Sequence, residues 1–183
     1  MTQEELKHII KGCVNTEKSS QRKLYRCFYR YGMNICNRYA RSEEEAEEML
    51  NDAFLRIFTK INMYNPDMSF SAWLHTIVVR SAINYLKKYT IPAPTEDLEL
   101  ATQLSFDDTI FSRLSVEEII DFMRQLPISY RTVFNLAIVE GYSHVEIAAL
   151  LGISEGTSRS NLMIARQKLQ KMILQANHIR YGY

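Results

Sequence analysis

Between Glu43 and about Asn62, the apolar residues Ala46, Met49, Leu50, Ala53, Phe54, Ile57, Phe58 and Ile61 recur at three- and four-residue intervals. That spacing keeps them on one side of an α-helix and predicts a single buried stripe. Ser42 stands where a cap is needed, and Glu45 three residues on completes the pattern of a capping box. At about 100° per residue, Leu55 falls opposite Ala46, among Glu48, Asn51, Asp52 and Thr59. An isolated exposed leucine is ordinary. One ringed by acids and amides on a capped helix also fits the apolar centre of a protein-docking face. The pattern leaves both readings open.

A second helix is predicted from about Ser71 to Lys88. Leu74, Val78, Ala82 and Tyr85 mark its core side, and Trp73, Thr76, Arg80, Asn84 and Lys87 line the other. A ring, a hydroxyl, an amide and two cations in one stripe suit single-stranded DNA, because bases stack on the ring while cations approach phosphates. A core Trp73 is the competing reading. The intervening loop, NMYNPDMSFS, turns at Asn65-Pro66-Asp67 and carries Tyr64 and Phe70. It forms either a pocket for a flipped base or a hairpin closed by two aromatics.

The stretch from Gly141 to Leu169, GYSHVEIAALLGISEGTSRSNLMIARQKL, has the spacing of a helix-turn-helix. Ser143 and Glu146 form a capping box. Ile147 and the small Ala148 sit where two helices touch, and Gly152 falls where the turn needs positive φ. Ile153 plugs the corner, and Ser154 caps a second helix running through Arg159, Asn161 and Arg166. A helix held this way can enter a major groove with its N-terminal residues at the base edges. The rival is an ordinary helical hairpin, which the polar run EGTSRSN makes the weaker account.

No sustained period-two alternation appears, so the chain reads as all-α. The segment from Tyr89 to Thr109 breaks the helical period with two prolines and five carboxylates and reads as a linker. The expected division is a helical domain over residues 1–89, an acidic linker over 90–114 and a second helical domain over 115–183. Ser115 and Glu118 open the second domain with another capping box. A helix from about Ser129 ends at Gly141, and the tail NHIRYGY is expected to fray.

Net charge is only +1 over 183 residues, but it is unevenly spread. Residues 20–89 hold 11 Lys or Arg against 7 Asp or Glu, residues 90–123 hold 1 against 8, and residues 124–183 hold 7 against 3. Two basic blocks around an acidic one suggest nucleic-acid contact at both ends. Cys13, Cys27 and Cys36 are odd in number, and His8, His75, His144 and His178 are scattered. Reduced thiols fit better than a metal site, and no cofactor is expected. No apolar run approaches the roughly 20 residues that span a bilayer, and the N-terminus lacks an apolar signal core. A cytoplasmic protein is expected. Paired catalytic carboxylates, a metal-spaced histidine cluster and a Gly-rich phosphate loop are all missing, so an enzyme is not expected.

In order along the chain, these pieces resemble the extracytoplasmic-function branch of the bacterial sigma-70 family. EAEEMLNDAFLRIFTKI is similar to the helix that grips the clamp helices of the RNA polymerase β′ subunit. FSAWLHTIVVRSAINYLKK is similar to the segment that holds the opened minus-ten element. LPISYRTVFNLAIVEGYSHVEIAALLGISEGTSRSNLMIARQKL is similar to region four, which reads the minus-thirty-five element in duplex DNA. The resemblance implies a sigma factor whose partners are core polymerase, through β′ and the β flap, promoter DNA and an anti-sigma factor. It implies that Glu48, Asn51, Asp52, Leu55 and Arg56 face the polymerase. Trp73, Arg80, Asn84 and the loop from Tyr64 to Phe70 then face the promoter. Thr157, Ser158, Arg159 and Asn161 lie in or beside the groove. Four positions depart from the family pattern: Asn51 replaces a usual Gln, Arg80 a frequent Asn, Asn84 a frequent Asp and Ser158 a common Val. The rival function is a self-sufficient helix-turn-helix regulator whose N-terminal helices dimerise.

Overall fold

Thr2 starts the first helix with a capping box of its own. Its hydroxyl accepts from the Glu5 amide, and the Glu5 carboxylate accepts from the Thr2 amide. In the computed structural model, which describes residues 2–89 and 115–181, α1 (Gln3–Val14) therefore precedes the helices expected from the pattern. It is followed by α2 (Lys18–Tyr39), α3 (Glu43–Lys60), a 3₁₀ turn at Ile61–Met63 and α4 (Phe70–Tyr89). Further on come α5 (Val116–Arg124), α6 (Ile128–Phe134), α7 (His144–Leu151) and α8 (Glu155–Tyr181). The all-α expectation is met: among the described residues there is no strand. Contacts divide the chain into two units, Met1–Tyr89 and Thr90–Tyr183. The expected linker over 90–114 lies outside the described residues.

In the first unit, α3 packs on both α2 and α4, and α1 lies against α2. The predicted stripe is buried at Ala46, Met49, Leu50, Ala53, Phe54, Ile57 and Ile61, while Phe58 stays half-buried. Gly32 lets α2 approach this stripe. A Cβ there would stand 2.4 Å from the Leu50 side chain, which is itself wholly buried. The cap of α3 differs from expectation. Ser42 accepts from the Glu45 amide, but the Glu45 carboxylate turns to the backbone and guanidinium of Arg41, at 2.9 Å from Nη2. The Arg41 amide and guanidinium together outcompete the Ser42 amide for that carboxylate.

In the second unit, α5, α6 and α7 each pack on α8. The boxes at Ser115 and Ser143 both form. The single helix expected over Ser129 to Gly141 is α6 followed by a π-helical turn at Asn135–Val139, and Gly141 then adopts φ +74°. Gly152 has φ +72° and donates to the Ala148 carbonyl at 2.8 Å, closing α7 as the turn chemistry requires. The tail departs from the frayed expectation, since α8 continues through Asn177 to Tyr181.

Cys13 and Cys36 are buried, and burial pushes their thiols up to about 11 and about 12 respectively, whereas Cys27 is exposed. The thiolate is the reactive form. A disulfide reagent at mildly alkaline pH is expected to label Cys27 alone in the folded protein and all three cysteines in denaturant. Rapid labelling of Cys13 or Cys36 in the folded protein contradicts this packing.

Candidate protein-docking and nucleic-acid interfaces

Opposite its buried stripe, α3 turns Leu55 into solvent at 66% exposure. Glu48, Asn51 and Asp52 are exposed around it. Phenols from neighbouring helices brace this face. Tyr25 donates to Asn51 Oδ1 at 3.2 Å, Tyr29 donates to Glu47 Oε1 at 3.1 Å, and Tyr85 donates to Glu48 Oε2. With Oδ1 occupied, the Asn51 amide group is left to donate. The Glu48 carboxylate, with some burial, pushes the Tyr85 phenol up to about 12. Tyr85 is thus half-buried at the rim, not in the core position assigned from periodicity.

Arg56 does not belong to that face. It is half-buried, and its Nη1 reaches Ser81 Oγ of α4 at 3.4 Å. Arg56 instead lines a groove of about 470 Å³ between the end of α3 and α4. Lys60, Trp73, Thr76, Arg80 and Asn84 line the same groove, and Met63 and Met68 form its apolar lip. Its lining holds the three cations Arg56, Lys60 and Arg80 and no carboxylate. Lys87 is exposed further along α4, outside the groove.

Phe70 departs from its promoter-facing assignment. It is 3% exposed and packs on Phe28 of α2, with ring centroids 5.3 Å apart. Tyr64 meets it edge-on at 5.1 Å, so no base fits between them. Tyr64 itself is half-buried and donates to the Met68 carbonyl. Trp73 is also half-buried, with Tyr64 and Phe70 both at 5.5 Å. The two readings of Trp73 are reconciled: one side of the ring supports the core and the other lines the groove. Sequence reasoning missed Lys60, Met63 and Met68. Met63 and Met68, 73% and 62% exposed, were detectable as large apolar residues in an otherwise polar loop.

In the helix-turn-helix, Ser154 accepts from the Thr157 amide at 2.9 Å and caps α8. Thr157 and Arg159 are exposed in its first turns, and Asn161 and Arg166 are half-buried. Arg159 pairs with Glu155 one turn back. Exposed pairs of this kind are worth about 0–1 kcal/mol, so the guanidinium is readily released. Ser158 contradicts its groove assignment: it is wholly buried, with Oγ 2.9 Å from His144 Nδ1 of α7. Among the described residues no His, Cys, Asp and Glu cluster could hold a metal, and no helix is long and apolar enough to cross a membrane.

Comparison with known proteins matches residues 24–90 to Sigma-70 region 2 and residues 116–169 to Sigma-70 region 4. The ECF RNA polymerase sigma factor SigW of Bacillus subtilis is 28% identical over 151 residues, covering 76% of this chain and 81% of its own length. The RNA polymerase sigma factor CarQ of Myxococcus xanthus is 30% identical over 139 residues, covering 74% of this chain and 79% of its own. The sigma factor RpoE of Bartonella quintana, solved in complex with the anti-sigma factor NepR, shares the fold. Its TM-score is 0.50 at 18% identity, covering 84% of this chain and 96% of that one.

Trp73 is the only tryptophan in the chain, so its emission reports on the groove alone. Three cations and no carboxylate around it concentrate anions locally. Iodide is expected to quench it more efficiently than caesium, and added inert salt should erase the difference. Equal quenching by both ions at low salt contradicts an electropositive groove.

Proposed function

The chain belongs to the extracytoplasmic-function branch of the sigma-70 family and is an RNA polymerase sigma factor, and from that premise we propose how its surfaces divide the work. The face of α3 around Leu55, with Glu48, Asn51 and Asp52, docks on the β′ clamp helices. The groove between α3 and α4 takes the opened minus-ten strand, with bases against Trp73 and phosphates near Arg56, Lys60 and Arg80. The start of α8 reads the minus-thirty-five duplex through Thr157, Arg159 and Asn161. Arg56 moves, on this reading, from the polymerase contacts to the strand contacts. The chain supplies no catalytic group of its own and works in the cytoplasm, where an anti-sigma factor holds it in check. The regulator acting without polymerase is set aside, because residues 24–90 match Sigma-70 region 2.

One observation carries this reading. Leu55 is 66% exposed on a helix whose reverse side, from Ala46 to Ile57, is wholly buried. Its exposure therefore serves no packing role among the described residues. Leu55→Asp is expected to weaken binding to core polymerase by about 2 kcal/mol or more, while stability changes by no more than about 0.5 kcal/mol. Titration against core polymerase, paired with thermal melting, checks both. Unchanged affinity removes Leu55 from the interface.

The duplex-reading role is tested at Arg159, whose guanidinium leaves only an exposed ion pair on binding. Arg159→Ala should cost about 1–3 kcal/mol of affinity for the cognate minus-thirty-five element relative to a scrambled one. An equal loss on both duplexes, with a salt slope lower by about one, assigns Arg159 to phosphate instead. An unchanged affinity rules out contact of either kind.

A further inference from the structure

The buried side of α8 runs through Ser158, Leu162, Ala165, Leu169 and Ile173. All are apolar except the first, a hydroxyl at 0% exposure. A buried hydroxyl needs a partner, and here the partner comes from the other helix. Ser158 Oγ and His144 Nδ1 lie 2.9 Å apart, with the protonation of the ring deciding which of them donates. His144 is the first residue of α7. It lies about 12 Å along that helix from the Gly152 turn, at roughly 1.5 Å per residue. Ser158 lies one turn into α8. The two helices are thus joined at the turn and tied again at a second point away from it.

That second tie differs in kind from the packing around it. Ile147, wholly buried where α7 packs on α8, holds the helices together by non-directional contact. Such contact keeps the buried side of α8 turned inward but allows small rotations about its axis. A hydrogen bond does not, because it weakens steeply as its angle opens. Thr157 and Arg159 flank Ser158 and point to solvent. A rotation that breaks the tie therefore sweeps both across whatever lies before them.

We propose that the His144–Ser158 hydrogen bond sets the rotation of α8, and so decides which base edges Thr157, Arg159 and Asn161 meet. His144, half-buried, and Ser158, wholly buried, are then positioning residues for duplex recognition. This rests on the reading of α8 as the duplex-reading helix.

The test uses the full chain assembled with core polymerase, on a promoter the parent holoenzyme selects and on the same promoter with its minus-thirty-five element scrambled. Ser158→Ala and Ser158→Val, the latter refilling the space without a hydroxyl, should each lower the ratio of the two affinities about tenfold. Ser158→Thr, which keeps the hydroxyl, should retain it. His144→Phe combined with Ser158→Val should lose no more than the worse single change, since both break one bond. Helicity and melting temperature are followed in parallel to separate positioning from unfolding. Losses equal on both promoters, or single losses that simply add, overturn the proposal. A discriminating parent whose Ala and Val variants discriminate equally well overturns the tie alone. A parent that does not distinguish the promoters overturns the duplex-reading assignment and this proposal with it.

Discussion

The burial of one stripe of α3 is the constraint on which the first unit depends. Leu50, Ala53, Phe54 and Ile57 hold α3 between α2 and α4, and that choice of inward side fixes what the remaining circumference can do. A helix turns about 100° per residue, so a stripe of this width leaves two free sectors. One carries Leu55 among Glu48, Asn51 and Asp52. The other carries Arg56 and Lys60 along the edge that meets α4. Leu50 is locked because Gly32 of α2 leaves no room beneath it. Any shift of the stripe would turn both outer sectors together, which ties the proposed protein contact to the proposed strand contact mechanically.

Features decided within one or two turns of chain were legible in the sequence. The caps at Ser115 and Ser143 and the left-handed Gly152 needed only neighbouring residues, and the structure contains all three. Thr2 and Glu5 carry the same signal ahead of α1. The Ser42 box looked identical on paper but failed, because Arg41 beside it offered the Glu45 carboxylate a stronger partner. A capping pattern records which groups can bond, and a charge one residue outside it decides which do.

Site residues that the structure places elsewhere share a different cause: the resemblance assigns a stretch of chain to an interface and leaves the helical angle of each residue aside. Ser158 stands within about 40° of Leu162, Ala165 and Leu169 on the helical wheel, so its angle already placed it with the core. The resemblance puts it in or beside the groove together with its neighbours Thr157 and Arg159. Phe70 likewise stands about 40° from Leu74, and only its position at the end of a loop argued for exposure. Arg56 lies about 60° from Ala53, on the border between sectors. There the wheel cannot choose, and the position of α4 decides. The Tyr25 contact to Asn51 joins residues 26 apart in sequence. Nothing local announces it.

A net charge of +1 hides the electrostatics of the first unit. Its groove gathers Arg56, Lys60 and Arg80 without a carboxylate, while the Leu55 face gathers Glu48 and Asp52. The two surfaces adjoin along α3: Asp52 and Arg56 stand four residues apart on one helix, which places their Cβ atoms about 5–6 Å from each other. That is less than the Debye length of about 8 Å at physiological ionic strength, so the two fields overlap along the shared edge. Each sign dominates only away from that edge, around Glu48 on one side and around Arg80 in the groove on the other. Partners of opposite charge therefore meet this unit at its two flanks, with Asp52 and Arg56 as the boundary between them.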